Sequence, residues 1–122
     1  MSFQDQVKAD MEAAIEDGGE EVTYTPATGA AFTCSAVVTD PQIDQLSQNA
    51  VRDFRECRVL HSALSGAGLT SPTPHRERQP GDTITIIGPA GTDEVWKVVE
   101  LPRLVRNTYW TLILERNIRI VP

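Results

Sequence analysis

Four side chains could together bind a transition metal: Cys34, Cys57, His61 and His75. Thiolate and imidazole groups are the ligands of structural zinc sites. Only Cys57 and His61 are close in sequence, and the paired Cys-x-x-Cys spacing of zinc-binding modules is absent. Two cysteines in a reducing compartment also make no disulfide framework. The sequence therefore predicts buried, unreactive thiols, with no metal and no cofactor.

A serine nucleophile paired with His61 is the next candidate, with Ser47, Ser62 or Ser65 as the attacking hydroxyl. None of these serines lies in a Gly-x-Ser-x-Gly elbow, and the strand-turn-helix context of that elbow is missing. Surface hydroxyls are the simpler interpretation. Nothing in this pattern predicts an enzyme.

Two patterns could contact phosphate. Gly88-x-x-Gly91 has two glycines but no following helix and no Lys-Ser/Thr pair, so it is typical of a hairpin turn. Arg76 and Arg78 could bind phosphate or, equally, an acidic partner. Carboxylates also occur in pairs at turns, where such residues commonly cap the backbone: Glu20-Glu21 and Asp93-Glu94. For Arg76 and Arg78, the sequence favours neither phosphate nor an acidic partner.

The charge balance argues against a surface built to hold nucleic acid. The chain has 11 Lys and Arg against 17 Asp and Glu, a formal net charge of -6, whereas phosphate binding depends on basic residues. The acidic residues crowd the first twenty-one positions, and the arginines lie later. This polarity suits a subunit that meets its neighbours through complementary faces; an ordinary solvated surface is the alternative.

Aromatic residues offer another alternative, a platform on which single-stranded nucleic acid stacks. The candidates are Phe54, Trp96, Tyr109 and Trp110. Small β-barrels use such platforms. Since the chain is acidic and poor in aromatics, the two tryptophans are expected to pack in the core instead.

The elements that position these residues begin with a helix over 3–17. Its apolar side chains recur at three- and four-residue intervals: Phe3, Val7, Met11, Ala14 and Ile15. Gly18-Gly19 is predicted to end it through left-handed positions. The first strands are expected within 21–61, with a surface loop over 42–50.

The second half contains the most informative pattern. Gly81-Asp82 opens a β-branched run, a Gly/Pro cluster separates it from Glu94–Val99, and a third run follows around Trp110. Three such runs predict an antiparallel meander over 81–121. The fold class is therefore mainly β: a small antiparallel β-barrel or sandwich with an N-terminal α-helix and a long mobile loop.

Residues 62–80 form that loop. They are rich in Ser, Gly, Pro and Thr, and the connection is long for a compact domain. We expect the segment to contribute little to the core and to become ordered only against another molecule. Its best contact residues are Leu64, Leu69, His75, Arg76 and Arg78.

Length and composition fit a single domain over 1–122, 40% of it hydrophobic. No apolar run approaches the roughly 20 residues that span a bilayer, and the first residues lack the blocks of a signal peptide. The expectation is a chain made in the cytosol, with no membrane partner.

Three runs between Arg78 and Leu114 resemble the signature of a known protein family. Arg78-x-x-Gly81-Asp82-Thr83-Ile84-Thr85-Ile86, then Val95-Trp96-Lys97-Val98 and Trp110-Thr111-Leu112-Ile113-Leu114 resemble the C-terminal signature of the lambda-type head-tail joining (head completion) proteins of tailed phages. The match covers the last third, and the remainder agrees in the order of elements. The turn over 88–93 is longer than in the family, and only Asn117–Pro122 follows the last long run.

The resemblance implies a structural, non-enzymatic protein of the virion neck, assembled in the host cytoplasm. It would form a ring with copies of itself, although the isolated chain could be a monomer. Its other partners would be the portal or connector protein and a tail or tail-terminator protein, and genome DNA would pass through without specific binding. A tail-terminator or connector-adaptor subunit is the alternative within this class, and a small-barrel nucleic-acid-binding module is the alternative from another class.

Overall fold

The computed structural model describes residues 3–45, 50–87 and 91–120. Within these residues the elements are, in chain order, α1 (Phe3–Gly18), β1 (Glu20–Thr25), β2 (Phe32–Val38), β3 (Gln42–Gln45), β4 (Ala50–Leu60), α2 (His61–Gly66), β5 (Thr83–Ile87), β6 (Asp93–Val105) and β7 (Tyr109–Ile120). The prediction of a mainly β fold with an N-terminal helix is confirmed.

Six strands close into an antiparallel barrel. Neighbouring strands follow the order β2-β1-β5-β6-β7-β4, and β2 also pairs with β4, which completes the ring of hydrogen bonds. Strand β3 is added outside this ring, along the first half of β4. The predicted meander is present as β5-β6-β7. Closure of the sheet is one way in which small β proteins protect their strand edges.

The core fills the barrel with side chains that alternate along the strands, because successive residues of a strand point to opposite faces. Val98 of β6 is paired with Leu114 of β7, and both are fully buried with Trp96 and Leu112. Trp110 is 9% exposed. The prediction that both indoles pack in the core is confirmed.

Helix α1 packs on the outside of the barrel against β2 and β4. Val7 and Met11 are half-buried and Ile15 is buried, as their spacing predicted. Ala14 is exposed and lines a groove beside the helix. The side chain of Phe3 lies outside those described.

The helix ends at the predicted glycines but for a different reason. Neither Gly18 nor Gly19 has a positive φ angle. The Gly19 nitrogen donates a hydrogen bond to the Ile15 oxygen at 2.9 Å. A Cβ atom on Gly19 would lie 2.4 Å from the Ile15 oxygen and 2.8 Å from the Ala36 oxygen. Gly19 is therefore required by close backbone approach.

Strands β6 and β7 are joined by a tight turn over residues 106–108. Arg106 and Asn107 have φ angles of 50° and 53°, and the Thr108 nitrogen donates to the Val105 oxygen at 2.9 Å. Positive φ at both central residues is the mark of a type I′ turn, whose twist matches a tight hairpin. Strand β6 extends beyond its predicted end at Val99.

Two predictions about connections require correction. Residues 42–45 form β3 where a loop was expected, because they pair with β4. Residues 61–66 of the β4–β5 connection form helix α2, and Leu64 is fully buried in the core. The expectation that 62–80 contributes little to the core was therefore wrong. Ser47, in the first of these connections, and part of the predicted Gly88-x-x-Gly91 turn lie outside the described residues.

Among the described residues, neither helix is long and apolar enough to span a bilayer.

Candidate interaction surfaces

Asp82 fastens the connection between α2 and β5 to the barrel. Its carboxylate is 1% exposed and accepts hydrogen bonds from the Tyr24 hydroxyl, from the Ala27 nitrogen at 2.7 Å and from the Thr73 nitrogen at 2.9 Å. The Asp82 nitrogen also donates to the Thr73 oxygen at 2.8 Å. These bonds hold both ends of residues 73–82 together.

Gly81 makes this arrangement possible. A Cβ atom at Gly81 would lie 2.5 Å from the Thr73 oxygen, the Pro74 carbonyl carbon and the His75 nitrogen. The sequence showed Gly81-Asp82 only as the turn before a strand. No local pattern reveals that Tyr24 and Thr73 converge on the carboxylate, since both contacts are long-range or depend on the path of the connection.

Residues 76–79 form a tight reverse turn at the outer end of this connection. The Arg76 nitrogen donates to the Gln79 oxygen at 3.0 Å, and the Gln79 nitrogen donates to the Arg76 oxygen at 3.1 Å. The His75 nitrogen ties the turn to β6 through the Val98 oxygen at 2.7 Å. Arg76 and Arg78 are exposed. We call residues 76–79 the basic turn.

The five predicted contact residues therefore separate into two groups. Arg76 and Arg78 lie together on the basic turn, with His75 half-buried at its base. Leu64 is buried at 0% exposure and Leu69 packs against the core from the same end of the connection. Leu64 cannot contact a partner in the folded chain, and this prediction is corrected.

Leu101 lies next to the basic turn and was not predicted as a contact residue. The pairing of β6 with β7 is irregular between Val99 and Arg103, and Glu100 there has a φ angle of 59°. The irregularity leaves Leu101 77% exposed. A cleft of about 250 Å³ separates it from the turn, lined by Pro74, His75, Arg76, Glu100 and Leu101. Bulged strands commonly re-aim a side chain in this way.

The acidic surface lies elsewhere. The outward side of α1 carries exposed Asp10, Glu16 and Asp17, together with exposed Ala9 and Ala13. Helix α1 packs on β2 and β4, whereas the basic turn is tied to β6. In the barrel order β6 is three strands from β2 and two strands from β4. The acidic helix and the basic turn thus lie on different sides of the barrel.

A third charged group covers one indole. The guanidinium carbons of Arg55 and Arg116 each lie 5.4 Å from the Trp96 ring centroid. Glu94 contacts both arginines, at 4.0 Å and 2.9 Å, and accepts a hydrogen bond from the Trp96 indole at 3.4 Å. The contacts are cation-π interactions reinforced by ion pairs.

The other rings of the hypothetical stacking platform are covered as well. The guanidinium carbon of Arg52 lies 5.7 Å from the Phe54 ring centroid and that of Arg58 lies 5.7 Å from the Tyr109 ring centroid. The Trp110 ring is buried. The four aromatic residues therefore do not present one open face for stacking bases.

His61 contacts Ser65, but its hydrogen bonds do not suit a nucleophile pair. The Trp110 indole nitrogen donates to His61 Nδ1 at 3.1 Å, so in the neutral ring the proton resides on Nε2. That nitrogen lies 3.5 Å from the Ser65 hydroxyl and is a donor toward it. In this tautomer Nε2 cannot accept the serine proton.

The two cysteines are free thiols. Burial raises the pKa of Cys34 to about 11 and raises the pKa of the fully buried Cys57 further. Because the thiolate is the reactive form, both sulfurs are unreactive near neutral pH. Among the described residues no three His, Cys, Asp or Glu side chains converge as ligands.

A scan against protein-family models finds no family that matches this chain, and a search of curated proteins finds no relative.

Proposed function

We propose that the chain is a structural subunit of a phage neck, which joins the portal side of the DNA-filled head to the tail by forming a ring of identical copies. The late motif from Arg78 to Leu114 supports this proposal through its resemblance to head-tail joining proteins. The observation that carries it is the placement of an acidic helix and a basic turn on different sides of one barrel.

A ring needs two different faces on each subunit. In a closed ring the contact is heterologous, so one surface of a copy meets another surface of the next. Complementary charge on the two faces fixes their orientation and suppresses wrong pairings. The acidic α1 and the basic turn meet this requirement without any unfolding of the barrel.

The acidity of the chain is compatible with a conduit for DNA. A net charge of -6 leaves little to hold phosphates through counterion release. The rings of Phe54, Trp96 and Tyr109 are covered by arginines, and that of Trp110 is buried in the core. These features favour passage of the genome over its retention.

Restoration of infectivity tests the proposal. Filled heads and free tails are prepared from a phage that lacks this chain, and purified protein is added before plaques are counted. We expect infectious particles to rise by several orders of magnitude over an unrelated acidic protein of similar size. No rise would contradict the proposal.

Electron microscopy of the same mixture separates the neck subunit from its alternatives. The proposal predicts filled heads without tails when the chain is missing. Tails of abnormal length with joined heads would instead indicate a tail-terminator subunit, and heads that lose their DNA would indicate a connector-adaptor.

A further inference from the structure

We infer that the contact between neighbouring copies is made by the outward face of α1 in one copy and by the basic turn with Leu101 in the next. This inference rests on the proposed function and names the surfaces that would form the ring. Arg76, Arg78 and Leu101 form the receiving surface. The occupant is the acidic helix of a second copy.

The receiving surface combines charge with one apolar anchor. Within residues 3–45, 50–87 and 91–120, no carboxylate makes an ion pair with Arg76 or Arg78, which are both exposed. Leu101 is 77% exposed, the largest value among the exposed large hydrophobic residues described. Leu101 shares its cleft with Arg76 and with the Glu100 carboxylate. A bulky apolar side chain that is exposed next to a residue with positive φ is typical of a contact residue.

The surface is also held in place before any contact. The two backbone bonds between Arg76 and Gln79, the bond from His75 to β6, and the bonds from Thr73 to Asp82 fix the turn. Docking therefore costs little ordering of the backbone, and a preorganised surface binds more tightly than a mobile one.

The outward face of α1 complements this surface. Asp10 and Asp17 are seven residues apart, so they lie on one side of the helix about two turns from each other. Ala13, between them, and Ala9, just before Asp10, are small and exposed, which allows a leucine side chain to approach the helix backbone. The arrangement offers carboxylates to the arginines and a shallow apolar strip to Leu101.

Charge exchange between two variants tests this contact. The first variant carries Arg76→Glu and Arg78→Glu, and the second carries Asp10→Lys and Asp17→Lys. All four positions are exposed, so circular dichroism should show both variants folded. Sedimentation equilibrium is measured for each alone, for their equimolar mixture and for the unaltered chain, at protein concentrations up to about 1 mM and in low salt, where charges are little screened.

We expect the unaltered chain to self-associate, each variant alone to associate at least about tenfold more weakly, and the mixture to regain association because opposite charges face each other again. Raising the salt to about 500 mM should weaken the unaltered contact. Lys8→Glu is the control, since it reverses one positive charge, as each substitution of the first variant does, at an exposed position outside the proposed contact. It should not weaken association.

Three outcomes would overturn the inference: an unaltered chain that stays monomeric, variants that associate normally, or a mixture that fails to recover. The restoration of infectivity separates this inference from the proposed function. If the first variant restores infectivity fully, the contact is wrong and the neck role stands. If the charge exchange succeeds but no protein restores infectivity, the contact stands and the neck role falls.

Discussion

The Tyr24 hydroxyl donates a hydrogen bond to the Asp82 carboxylate, and both side chains are buried. The bond joins the end of β1 to the residue that precedes β5, 58 positions later. The same carboxylate accepts hydrogen bonds from the backbone nitrogens of Ala27 and Thr73. The Asp82 side chain thereby holds the segment that carries the basic turn against the barrel.

Asp82→Ala is expected to destabilise the chain by about 2 to 4 kcal/mol, because three donors lose their acceptor in a poorly solvated site. The free energy of unfolding is measured by urea denaturation. Tyr24→Phe removes only one of the three donors and should cost about 1 kcal/mol. A loss below about 0.5 kcal/mol for Asp82→Ala would show that the carboxylate does not hold the connection.

Gly81→Ala tests the close approach of the connection to itself. The added Cβ atom would lie 2.5 Å from three backbone atoms of residues 73–75. The two segments of the connection must therefore move apart, and the hydrogen bonds between Thr73 and Asp82 must weaken. We expect a loss of about 2 kcal/mol or more and faster amide exchange at Thr73 and Asp82.

Gly66→Ala is the matched control for this substitution. No atom lies within 4 Å of its added Cβ, and Gly66 is the last residue of α2. Gly66→Ala should change the free energy of unfolding by less than about 1 kcal/mol, or raise it. Equal losses at the two glycines would contradict the account of Gly81.

Alkaline pH is expected to destabilise the fold. Burial, then the hydrogen bond to Asp82, raise the pKa of Tyr24 above its usual value of 10.0, and burial raises the pKa of Cys34 from 9.0 to about 11. The unfolded chain loses these protons at lower pH than the folded chain. Stability is therefore full below about pH 8 and falls as the pH rises through about 9 to 11, by up to about 1.4 kcal/mol per pH unit for each group.

Urea midpoints at about pH 7.5, 9 and 10.5 check this dependence. Tyr24→Phe removes the tyrosine contribution, so its midpoint should fall less steeply than that of the unaltered chain. Identical midpoints of the unaltered chain at the lowest and highest pH would contradict the burial of these groups.

Trp96→Ala should cost about 3 to 5 kcal/mol, because the indole is 1% exposed and its loss leaves a large cavity. It also removes the ring that Arg55 and Arg116 cover. Val95→Ala, at the neighbouring position with 53% exposure, should cost less than about 1 kcal/mol. Comparable losses in thermal unfolding would place the Trp96 ring at the surface.

The elements that the sequence predicted well are those with strong local periodicity. The stripe from Val7 to Ile15 on α1 and the alternation around Trp96 and Trp110 need only the repeat of a helix or strand. The loop over 42–50 was predicted from polar composition alone. Its first residues form β3 because β4 offers them an unpaired edge, which is tertiary context.

The site was predicted only in part, for the same reason. Arg76 and Arg78 stand out by charge in a polar segment, and both are exposed. Leu64 was placed with them because the segment is rich in Ser, Gly and Pro, yet its side chain enters the core. The exposure of Leu101 depends on an irregular pairing of β6 with β7, which no pattern in the sequence marks.

Gold labelling of intact particles tests the neck assignment most directly. Antibodies raised against the purified chain are applied to phage particles that encode it, and the label is located by electron microscopy. The account predicts gold at the junction of head and tail on most particles, and none on particles that lack the chain. Gold along the tail or on the capsid shell, or particles that carry none, would contradict it.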